Sequence, residues 1–141
     1  MALQVLYEAD SRRTPPGAIL ERTFKDNPLP PEGQVLTREL VDGVHAHTKA
    51  LDQKIGKYAP AYPVDQLSVI DRNILRIAMF ELLMNNKTPP KVAVNEAVEL
   101  AKLFGSTDIH RFINGVLGSA LKDAAPDQGI SPPGGNSGDG L

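Results

Sequence analysis

The sequence predicts an all-α protein, a bundle of about six to seven helices, and three observations carry that prediction. Residues 67–83, LSVIDRNILRIAMFELL, place Ile70, Ile74 and Ile77 at i, i+4 and i+7, with Leu75, Met79, Leu82 and Leu83 in a second apolar row. The intervening Asp71, Arg72, Asn73 and Arg76 are too few to make a broad solvent face, so this helix needs cover from two sides. The segments before and after it keep the same three- and four-residue steps, so the cover is helical too. With 141 residues, the chain has room for one domain or two small helical subdomains sharing a core.

The first helix is expected over about residues 2–11, from Leu3, Val5, Leu6 and Ala9. No Ser, Thr, Asp or Asn precedes it to accept the free N–H groups of its first turn. Pro15 and Pro16 end it and pre-set a second, short helix with Ile19, Leu20 and Phe24 on its apolar face. Residues 27–33, NPLPPEG, read as a loop. A longer helix follows from about Gln34 to Tyr58, through Val35, Leu36, Leu40, Val44, Leu51 and Ile55. Gly43 inside it costs about 1 kcal/mol against Ala, which suggests close approach of another helix. Residues 59–65, APAYPVD, turn the chain into the central helix. Beyond it, Pro90 opens a helix to about Phe104, in which Ala93, Ala97 and Ala101 form a stripe that admits a neighbour closely. Gly105 is expected as a left-handed terminator, with Ser106 or Thr107 capping the last helix, which carries Ile109, Phe112, Ile113, Val116, Leu117, Ala120 and Leu121. The helical domain is expected over residues 1–123, with N-terminal helices to about 62 and C-terminal helices from 63. Residues 124–141 hold five glycines and three prolines and are expected to form a disordered tail.

Composition excludes several classes. Without cysteine there is no disulfide, thiol nucleophile or thiolate metal site. No apolar run reaches the roughly 18 residues of a membrane span, so a cytoplasmic protein is expected. Residues 1–123 carry all 15 Lys and Arg against 15 of the 17 Asp and Glu, so any nucleic-acid binding must come from a local patch. No metalloprotease, hydrolase-elbow, phosphate-loop or dinucleotide motif occurs. His45 and His47 are two apart and face different ways on a helix; with His110 they read as structural or surface groups. Glu96 and Glu99 read as a solvated face beside Lys102. No catalytic residue, cofactor or metal site is expected.

The C-terminal half, IDRNILRIAMFELL followed by PPKVAVNEAVELAKLFGSTDIHRFINGVLGSAL, resembles the NusB family of bacterial transcription antitermination factors, and ALQVLYEAD resembles that family's first helix. The resemblance covers about residues 2–121 and is weaker over 12–66. It implies two packed helical subdomains, no catalytic activity, and pairing with NusE, a small-subunit ribosomal protein, to recognise boxA-type single-stranded RNA beside the transcription elongation complex. Members of that family usually carry an arginine-rich segment before the first helix, whereas this sequence begins inside the helix; either a basic arm lies upstream, which the uncapped helix and neutral charge favour, or RNA is bound only through NusE and a weak local patch. Two alternatives stay open: an RNA-binding domain like that of rRNA cytosine methyltransferases, and a homodimer that hides the RNA face.

The resemblance carries roles to particular positions. Asp65, Asp71 and Arg72 match positions that look toward the ribosomal partner, where carboxylates pair with a basic protein; the alternative is a solvated polar face. Asp108 and Phe112 match positions near RNA. An aromatic there can stack on an unpaired base, worth about 1–3 kcal/mol, with Arg111 adding a phosphate contact, although Phe112 also fits as core. Lys91, in the first turn of its helix, can meet a phosphate beside free N–H groups. Gln4 and Tyr7 on the first helix complete the RNA-binding set.

Overall fold

A computed structural model of the chain describes residues 1–85 and 87–127. Among them are seven α-helices and no strand: α1 (Ala2–Arg12), α2 (Gly17–Asp26), α3 (Pro31–Ala46), α4 (Thr48–Tyr58), α5 (Val69–Leu83), α6 (Pro90–Phe104) and α7 (Ile109–Asp127). A single 3-10 turn, Val64–Gln66, leads into α5. No helix among the described residues is long and apolar enough to cross a membrane.

The expected centre is the observed one. α1, α3, α4, α6 and α7 all pack on α5. Ile74, Leu75, Met79 and Leu82 of α5 are essentially inaccessible, and one continuous apolar cluster joins them to Val5, Leu20, Val41, Leu51, Ala97 and Leu117 from the other six helices. Ser68 starts α5 by accepting the Asp71 N–H at 3.1 Å, which satisfies one of the free donors of the first turn. Gly43 answers to the close approach expected of it: a Cβ there would fall inside the Phe80 ring. Met1 offers α1 no side-chain cap.

Four local expectations are corrected. Pro31 begins α3 three residues earlier than read, because a proline at the first helical position loses no intrahelical hydrogen bond. The expected helix to Tyr58 breaks at His47, which has φ −117° and ψ 19°. There Thr48 Oγ1 donates to the Val44 carbonyl at 2.7 Å, the acceptor that the Thr48 N–H of a continuing helix would use, and His47 Nδ1 lies 2.9 Å from the Gly43 carbonyl, which also accepts the His47 N–H at 3.1 Å. Gly105 is extended, at φ −78° and ψ 174°, and the left-handed residue is Asp108 at φ 61°. Glycine is needed at 105 for space, since a Cβ would come 2.7 Å from the Ala101 carbonyl oxygen and 2.9 Å from Asp71 Oδ1. Finally, α7 continues through Asp127 and buries Ala124, so the helical body extends past residue 123. The rest of the expected tail, 128–141, lies outside the described residues.

Candidate nucleic-acid interface

The site begins with the polar residues of α5. Asp71 is only 2% exposed, and its carboxylate accepts the Ser106 hydroxyl at 2.8 Å and the Ser106 backbone N–H at 3.2 Å. It therefore turns inward and ties the start of α5 to the connection between α6 and α7, and Ser106 is occupied by this contact. Arg72 is also engaged internally: its Nε and Nη2 each donate to Asp10 at 2.8 Å. Asn73 Nδ2 and Arg76 Nη1 reach the same carboxylate at 2.9 and 3.1 Å, and Arg76 makes a second two-bonded pair with Asp52. These bonds join α1, α4 and α5. The Arg72 hydrogen bond holds the Asp10 carboxyl below the usual carboxylate range, against burial, and Asn73 reinforces it. Of the three residues expected to face a protein partner, Asp65 alone is exposed; Asp71 and Arg72 are part of the scaffold. The physical reason is that each polar group half-enclosed by this bundle needs a partner inside it.

Gly105, Ser106 and the left-handed Asp108 form the turn that Asp71 secures, and Asp108 and Arg111 are exposed beyond it. Phe112 is half-buried against the core, and its ring lies 5.0 Å from that of Tyr62, tilted by 45°. Tyr62 is 43% exposed and is held in its turn by an N–H bond to the Ala59 carbonyl at 3.1 Å. Tyr62 was missed in the sequence reading; its signal is an aromatic between two prolines, in a turn with little core to enter. The pair supplies a partly exposed apolar ring surface, and Arg111, exposed, directly precedes Phe112 in α7; ring and guanidinium are the kinds of group that stack a base and meet its phosphate.

The remaining candidates stand elsewhere. Gln4 and Tyr7 are exposed and share a face of α1, being three residues apart. Lys91 is exposed at the start of α6, and fourteen residues of helical rise, about 20 Å, separate it from Gly105. The structure thus gathers Asp108, Arg111, Phe112 and Tyr62 around one end of the bundle and does not bring Lys91 to them. Among the described residues, no group of three or more His, Cys, Asp or Glu is placed to hold a metal ion.

The NusB family model matches residues 1–122. The transcription antitermination protein NusB of Roseiflexus castenholzii is 46% identical over 123 residues, covering 86% of this chain and 87% of that protein. Its counterpart from Dehalococcoides mccartyi strain CBDB1 is 46% identical over 125 residues, covering 89% and 87%. Among solved structures, T. maritima NusB superimposes with a TM-score of 0.83 at 30% identity, covering 90% of this chain and 89% of that one. A crystal structure of the antitermination factors NusB and NusE in complex with double-stranded RNA matches with a TM-score of 0.79 at 28% identity, covering 86% and 91%. By the extent of the family match and by these relatives, the chain belongs to the NusB family.

Proposed function

We propose that this chain is a non-enzymatic RNA-binding factor of transcription antitermination that pairs with a NusE-type ribosomal protein and recognises boxA-type RNA. The observation that carries the reading is family membership over nearly the whole folded body, with a solved relative held together with NusE and RNA. The chemistry of the surface supports it: Asp108, Arg111, Phe112 and Tyr62 offer one cation and one aromatic pair, too little for tight phosphate-driven binding alone. A second protein that adds contacts to the same strand makes up the difference. Gln4, Tyr7 and Lys91 extend the proposed RNA surface, and Asp65 is proposed to meet the protein partner. Asp71 and Arg72 serve that surface indirectly, by holding the helix ends from which it is built. Such a protein works in the bacterial cytoplasm, at the elongation complex.

The test is RNA binding by the chain alone and with purified NusE, to a boxA-like single strand, a scrambled strand and the corresponding duplex, over a salt series. Selective binding by the mixture, with weak unselective binding by the chain alone, is the expected result. No complex with NusE and no selectivity in the mixture would overturn the proposal and leave only the fold.

A further inference from the structure

The end of α1, the joint between α3 and α4, and α5 border an open cavity of about 410 Å³. Small-molecule sites occupy about 300–1,000 Å³, so one small ligand fits. Leu6, Ala9 and Pro15 give it an apolar wall from α1 and the connection that follows, and Val44 adds to this from α3. Its polar groups divide into two sets. Asp10 and Arg76 belong to the network that joins α1, α4 and α5, where each is already met by an opposite charge. Arg13, Thr14 and His45 are exposed, and no hydrogen bond or ion pair reaches any of these three side chains among the described residues.

Two of the lining residues are held where the fold alone would favour something else. Arg13 ends α1 in the left-handed region, at φ 55° and ψ 44°, with the next N–H, that of Thr14, donating to the Ala9 carbonyl at 3.0 Å. Glycine is the usual residue for such a position and would fit the backbone more easily, so what arginine adds is a guanidinium beside the cavity. Asn73 is 1% exposed. Its Nδ2 donates to Asp10 Oδ2 at 2.9 Å and to the Val69 carbonyl at 2.8 Å, while no donor reaches its Oδ1 among the described residues. A buried amide oxygen without a donor is uncommon, and Asn73 lines this cavity. The unmet requirements are therefore an anion for Arg13, an N–H for Asn73 and an apolar body for the walls. A nucleotide whose base carries an amino group answers all three.

We propose that this cavity binds one nucleotide, with its phosphate on Arg13 and His45, its base on Leu6, Pro15 and Val44, and its exocyclic amino group donating to Asn73 Oδ1. None of these side chains belongs to the RNA surface proposed above, so the inference stands without that reading. A free nucleotide and the 5′-phosphorylated end of a strand present the same groups, and the test separates them.

CMP, UMP, cytidine and a trinucleotide with a 5′-phosphorylated cytidine are each titrated into the full chain, with amide shifts as the readout. CMP and UMP differ at one base edge, where the cytosine amino group donates and the uracil oxygen accepts. Arg13→Gly suits the left-handed backbone, so it should keep or raise the melting temperature while removing the cation. CMP should bind with a Kd near about 1 mM and move the amides of Leu6, Ala9, Thr14 and Thr48. UMP and cytidine should each bind about tenfold more weakly, as should CMP to Arg13→Gly. Whichever of CMP and the trinucleotide binds these residues more tightly identifies the source, and either supports the site. Absence of shifts up to about 10 mM CMP, equal affinity for CMP and UMP, affinity unchanged in Arg13→Gly, or shifts confined to the neighbourhood of Tyr62 and Phe112 would each overturn the proposal.

Discussion

Asp71 offers a sharp test of how this surface is built. In Asp71→Ala, the Ser106 N–H and hydroxyl lose their acceptor. Hydrogen bonds to a charged group contribute about 1.5–3 kcal/mol each, and some of that is regained because exposed Ser106 can turn to water, so a loss of about 2–3 kcal/mol is expected. Ser106→Ala removes only the hydroxyl bond and should cost about 1–2 kcal/mol. Asp71→Asn keeps an acceptor for the N–H and should lie closer to wild type. The loss falls on the connection that leads to Asp108, Arg111 and Phe112, so the fraction of chains with that connection in place drops. The apparent affinity for RNA falls in proportion, about tenfold if one chain in ten keeps the arrangement. Urea unfolding gives the stability change, and anisotropy on a boxA-like strand with NusE gives the affinity. The three variants should rank alike in both measurements. A Ser106→Ala protein with full RNA affinity, beside an Asp71→Ala protein that is normally stable but does not bind NusE, would show that Asp71 contacts the partner and would refute this reasoning.

Other predictions follow from single contacts. Gly43→Ala gains about 1 kcal/mol of helix propensity but drives a methyl into the buried Phe80 ring, an overpacking worth about 1–3 kcal/mol, so net destabilisation is expected in urea unfolding. Gly56→Ala, in α4 with open space around it, should instead stabilise by up to about 1 kcal/mol. Asp10 has a lowered folded pKa, so its stabilising contribution is complete above the unfolded value of 3.8 and is lost as pH falls through the lower folded value; Asp10→Asn should flatten that part of an unfolding-midpoint profile. Glu81 has a raised folded pKa, so it favours the fold below 4.5 and stability declines as pH rises through the folded value, a decline that Glu81→Gln should abolish. Ile74→Asp places a charge at a site 1% exposed in the central helix, and far-UV circular dichroism should show loss of the cooperative fold.

The parts of this molecule that were legible in the sequence are those governed by local periodicity. The α5 pattern has almost no polar face, which announces a helix enclosed by others, and Gly43 marked the helix approach that Phe80 makes. The His47 break was hidden because Val44, Leu51 and Ile55 keep their apolar spacing across it, while what accompanies it is local: the Thr48 hydroxyl takes the Val44 carbonyl. Gly105 was misread because glycine marks either a left-handed backbone or a lack of room, and only the positions of Ala101 and Asp71 decide which. The internal pairing of Asp71 and Arg72 was hidden for a different reason. Their partners lie 35 and 62 residues away, at Ser106 and Asp10, and no periodicity carries that information.

That long-range pairing also constrains where attraction for RNA can arise. Asp10, Asp52, Arg72 and Arg76 form a cluster of two carboxylates and two guanidiniums that balance within the bundle. The two arginines of the central helix are thus spent on joining α1, α4 and α5, and they add little field at the surface. What remains near the tilted Tyr62 and Phe112 rings is Arg111, with Asp108 close by in sequence to offset it. A surface so nearly neutral binds phosphate weakly by itself, and selectivity then has to come from stacking and from a cationic partner placed alongside.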